Sequence, residues 1–102
     1  MSVFHFGSCR RLCRAQLSET IRRLWIEHVL WTRFFIVSTA FTLADLPFVT
    51  QRLLQNPKDF ARLLCPLYGE QKAKKFERLF TEHLLIAAQL VNAAKAGDNA
   101  EV

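Results

Sequence analysis

The residues of this chain best suited to chemistry are two Glu-His dipeptides. Glu27-His28 closes "RLWIEH" (Arg23–His28), and Glu82-His83 closes "RLFTEH" (Arg78–His83). Each lies inside an apolar run, with an arginine four residues before the glutamate. Imidazole titrates near neutrality and carboxylate is anionic there, so such a pair can ligate a divalent cation, exchange a proton or close an ion pair. Adjacent residues on a helix point about 100° apart, so the two side chains of each dipeptide diverge. In a di-iron bundle the motif is Glu-x-x-His, whose ligands share one face. A metal centre here would instead combine the elements, His28 with Glu82 and His83 with Glu27. Two His and two Glu leave such a site incomplete, and a second copy would complete it.

A simpler arrangement needs no metal. Arg23 and Arg78 pair with Glu27 and Glu82 along their own helices. His28 and His83 are then hydrogen-bonded core residues, and a buried His–Glu pair could act as a pH-sensitive clamp. Arg33, in "WTRFF", adds a cation that can stack on aromatic rings or reach a carboxylate. The expected polar centre is thus Arg23, Arg33 and Arg78 around the two Glu-His pairs. Gln51 and Arg52 read as a solvated helix face.

Both dipeptides need long helices to hold them. Helix A is expected from Ser18 or Thr20 to about Phe41, with an apolar stripe through Ile21, Leu24, His28, Trp31 and Phe35. The final helix, D, is expected from Glu70 to about Ala96, with a stripe through Phe76, Leu79, His83, Ile86, Leu90 and Ala93. Gly97 sits where a helix terminates. Between them, Asp45-x-Pro47 and Asn56-Pro57 each resemble a helix start, which predicts two short helices, B and C. Thr20–Ile36 aligned with Lys75–Val91 matches Arg, Leu, Glu, His and Leu, the mark of a structural repeat.

Composition bounds the class. At 102 residues, 51% hydrophobic and 23% charged, the chain is one globular domain rather than a disordered one. Three glycines and three prolines are too few for a turn-rich β domain. Of the net charge of +5, +4 lies in the first 23 residues, where five arginines oppose Glu19. A nucleic-acid site would have to be that arm, and a solvated arm is the simpler reading. Cys9, Cys13 and Cys65 read as reduced thiols, with Cys65 a small buried apolar residue. The longest apolar zone carries Glu27, His28 and Arg33, each costly at bilayer depth, so no membrane span and a cytoplasmic location are expected. Glycine-rich phosphate loops, a serine elbow and Cys/His zinc spacing are absent.

The segments "EHVLWTR", "TQRLLQNPKDF" and "EHLLIAA" resemble a group of small uncharacterised helical proteins of spore-forming and related Gram-positive bacteria. Some carry the labels acetylglutamate kinase or glycosyltransferase. The likeness covers about Ile21–Asp98. It implies that this chain is a truncated or half-length member, whose uncovered apolar faces would favour pairing of two copies.

The expected architecture is all-α: two long antiparallel helices joined by two short ones, a half-bundle or four-helix-bundle-like unit. Residues 1–17 are a basic, poorly ordered leader, 18–98 the domain, and 99–102 a frayed tail. The expected function is non-enzymatic self-association or partner docking around the His/Glu/Arg centre. The alternative is a ferritin-like bundle that binds a divalent metal once it forms a homodimer.

Overall fold

The computed structural model of the chain describes residues 11–98 and 100–102. The described residues form three α-helices: α1 (Arg14–Ala40), α2 (Leu46–Tyr68) and α3 (Glu70–Ala96). No strand occurs among the described residues. Most of the expected basic leader lies outside them, but its last four residues belong to α1. That helix opens four residues before Ser18 because Gln16 reaches back and accepts a hydrogen bond from the Cys13 backbone N–H, at 3.1 Å.

The two expected short helices are one continuous helix. Within a helix, Pro57 leaves the carbonyl four residues earlier without its amide partner and crowds the preceding turn, which costs about 3 kcal/mol. Burial offsets that cost. Pro57 is fully enclosed, and Leu53, Asn56, Phe60 and Ala61 beside it are buried too. Asp45 takes the N-cap position of α2 with Pro47 in the first turn, as expected, but its carboxylate caps no amide and instead accepts a hydrogen bond from Ser38 Oγ at 2.7 Å, which braces the corner after α1.

Because α2 makes a single return traverse, α1 and α3 run parallel, and the expected antiparallel pairing of the long helices is corrected. At one end, Leu17 and Leu24 of α1 share a cluster with Phe76 and Phe80 of α3 and with Phe60 and Leu63 of α2. At the other end, Lys95 Nζ donates to Thr42 Oγ1 at 2.6 Å, so both helices finish at the same corner. Phe35, Val49, Leu53 and Leu84 fill the core between.

Gly69 alone joins α2 to α3. Its φ of 91° and ψ of 162° fall in a region reserved for glycine. α3 ends as the sequence indicates: Gly97 adopts φ 75°, and the Asp98 amide returns to the Ala93 carbonyl at 2.9 Å. Cys65 is buried and disulfide-bonded, not the reduced thiol expected, whereas Cys13 is free and exposed.

Candidate functional site

α2 lies against both long helices, while α1 and α3 touch each other sparsely. His28 stands in that seam. The inward stripe of α1 runs through Leu24, His28, Trp31 and Phe35, while Ile21, also expected on it, is exposed. Asn56, one turn before Phe60 on α2, meets it there. The Asn56 Oδ1 lies 3.1 Å from His28 Nδ1, and the Asn56 Nδ2 donates to the Leu24 carbonyl at 3.1 Å.

The second bond fixes the first. A flipped amide would set its oxygen against the Leu24 carbonyl, acceptor against acceptor, so Oδ1 must face the imidazole. His28 Nδ1 is therefore the protonated nitrogen, and in the neutral ring Nε2 carries the lone pair. Burial holds the His28 pKa below its ordinary value of 6.5; the Asn56 bond opposes that, and the nearby His83 adds to it. Rings enclose the imidazole: Trp25 at 5.7 Å edge-on and Phe80 at 5.2 Å, centroid to centroid. Phe80 also lies 6.2 Å from His83. Both histidines thus lie near one phenyl ring, but His83, expected in the core, is exposed.

The rest of the expected centre divides. Arg23 pairs with Glu27 at 2.7 Å along α1, and Arg52 reaches the same carboxylate from α2 at 3.2 Å. Arg52 also lies 5.2 Å from the Trp31 ring centre. The stacked guanidinium is therefore Arg52, not Arg33, because α2 packs against the Trp31 side of α1 while Arg33 points to solvent. Arg78, Glu82 and Arg33 are exposed, and no ion pair joins Arg78 to Glu82. His83 is exposed as well. The centre is consequently a half-buried cluster of His28, Asn56, Glu27 and Arg52, with His83 at its solvent edge. Among the described residues, no group of three or more His, Cys, Asp or Glu side chains is arranged to hold a metal ion.

The α3 stripe is rotated from expectation. Its inward face is Ala73, Phe76, Phe80, Leu84, Ala88 and Val91, and of the expected stripe Phe76 and the buried Ala93 do face inward. Leu79, Ile86 and Leu90 face outward beside His83, with Ile86 66% exposed. Across the seam, Trp25, Val29 and Ile36 of α1 are also exposed. The seam ends in an open cleft of about 530 Å³ bounded by Ile36, Ala40, Leu90 and Ala94. A second apolar groove of about 770 Å³ follows α1 from Arg14 to Leu30, past Ile21, Trp25 and Ile26.

No protein family, curated protein or solved structure matches this chain. Among the described residues, no helix is long and apolar enough to cross a membrane.

Sequence reasoning missed Asn56 and Arg52. Asn56 was masked by its resemblance to a helix cap. Arg52 carried a usable signal: it lies four residues before Asn56, and so on the same face of α2.

Proposed function

We propose that this protein is a non-enzymatic helical module that self-associates, the α1/α3 face of one copy packing on that of a second to close a four-helix core. The observation that carries this reading is the 4-3-4 series Leu79, His83, Ile86, Leu90 on α3, solvent-facing beside Trp25, Val29 and Ile36 of α1. Such spacing is that of a helix-packing seam. Helix α1 supports it independently, because Ile26, Val29, Leu30, Phe34 and Val37 surround its outer side with apolar surface. The outer side of α1 also carries Arg22, Arg23 and Arg33, but these five apolar side chains are left exposed within the chain.

The area suits a second copy. Ile21, Trp25, Val29, Ile36, Leu79, Ile86 and Leu90 together expose on the order of 700 Å², above the roughly 300–600 Å² of the largest patch on an ordinary monomer. It approaches the about 800 Å² that each partner buries in a stable interface. The rims carry more cations than anions, Arg22 and Arg33 on α1 and Arg78 on α3 against Glu82, so apolar burial rather than charge pairing holds two copies together. His28, Glu27 and Arg52 then act as the polar register beneath the interface.

Replacement of Ile86 by Glu tests this reading, since it places a charge in the seam without touching the core. Light scattering should show the wild type at twice the mass of Ile86→Glu, with equal helicity by circular dichroism. Equal masses would overturn the proposal.

A further inference from the structure

The α1/α3 face holds one kind of titratable group inside its apolar stripe, and that group is histidine. His83 occupies the second place of the Leu79, His83, Ile86, Leu90 series, and His28 lies behind it across Phe80. We propose that protonation of this histidine pair dissolves the self-association, which makes the assembly a response to falling pH. The inference rests on the self-association proposed above.

The physical reason is desolvation without compensation. Closing the interface removes water from His83 and from the open edge of His28, which disfavours their charged forms. With Nδ1 committed to Asn56, a proton added to His28 goes to Nε2. Two copies bring four imidazoles to one interface, and like charges there repel.

The carboxylates that could relieve them are engaged elsewhere or point away. On α1, Glu27 is bound by Arg23 and Arg52. On α2, Arg52 is itself a cation, and Asp59 accepts a hydrogen bond from Gln55 at 3.0 Å. On α3, Glu82 is directed about 100° around the helix from His83, with the exposed cations Lys75 and Arg78 nearby. The exposed Arg22 and Arg33 on α1 add positive charge. Burial and the neighbouring His83 already hold the His28 pKa low within one chain, so only the further desolvation that association adds links His28 to the assembly.

The test is sedimentation velocity over a concentration series at about pH 8 and about pH 5.5, either side of the ordinary histidine value. It uses the full chain and His83→Gln, a change at an exposed position outside the core clusters. The dimer dissociation constant of the wild type should rise at least about tenfold at the lower pH, which a lowering of one pKa unit on one histidine of each copy exceeds. His83→Gln should lose most of that rise, and both proteins should keep their helicity.

A wild-type constant unchanged between the two pH values overturns the switch and leaves self-association standing. So does a full rise in His83→Gln, or loss of helicity at the lower pH. A monomer under both conditions overturns both readings.

Discussion

His28 Nδ1 and Asn56 Oδ1 stand 3.1 Å apart, and the Asn56 amide is anchored on its other side to the Leu24 carbonyl. Thirty-two positions separate Leu24 from Asn56, so this small chain of bonds locks α1 to α2 in one register. It also fixes the tautomer of the imidazole.

The tautomer is directly observable. Long-range proton–nitrogen correlation spectra at neutral pH should show His28 protonated at Nδ1 and bare at Nε2. An Nε2–H form would mean that the Asn56 amide is turned the other way.

Stability should depend on pH through the same ring. The folded-state pKa of His28 is lowered from 6.5, chiefly by burial. The unfolded chain therefore binds the proton more readily, and stability rises with pH between the two values. Thermal melts of Ile86→Glu, in which assembly does not intervene, should show the melting temperature falling as pH drops below about 6.5, the ordinary histidine value. The fall should level off once the pH lies below the folded-state value. His28→Gln should flatten this dependence, and a slope unchanged by that substitution would place its origin in another group.

Asn56 is wholly buried, and both ends of its amide are used. Asn56→Ala removes the partner of His28 Nδ1 and leaves a cavity, so denaturant titration should show a loss of about 1–3 kcal/mol, the cost of stranding a buried polar group. A neutral outcome would mean that water replaces the amide.

Gly69 tests the backbone alone. A Cβ built there meets nothing within 4 Å, so any cost comes from its φ of 91°. Gly69→Ala should destabilise the domain by about 1–3 kcal/mol, lowering the melting temperature by roughly 4–8 °C per kcal/mol. An unchanged melting temperature would show that the connection between α2 and α3 has an easy alternative path.

The sequence announced much of this and misled at identifiable points. The limits of α3 were legible because Gly97 ends it by a local mechanism, and the inward face of α1 because its large residues recur at helical spacing. The continuity of α2 was not, since Asn56-Pro57 satisfies every local rule for a helix start and only tertiary burial overrides them. The role of Asn56 was hidden for the same reason. The α3 stripe through Leu79, His83, Ile86 and Leu90 was legible as apolar and helical. That spacing is common to a core and to an interface, so the sequence could not assign it to either. The parallel course of α1 and α3 followed once two short helices became one. Arg33 and Arg52 are chemically alike, and which of them finds an aromatic ring depends on where α2 crosses α1.

The native mass in solution tests the central claim most directly. Analytical ultracentrifugation of the wild-type chain at about pH 8, above the ordinary histidine value, should give twice the 11.8 kDa of one chain. A mass that stays at one chain as the concentration is raised would contradict it, and the exposed α1/α3 face would need another explanation.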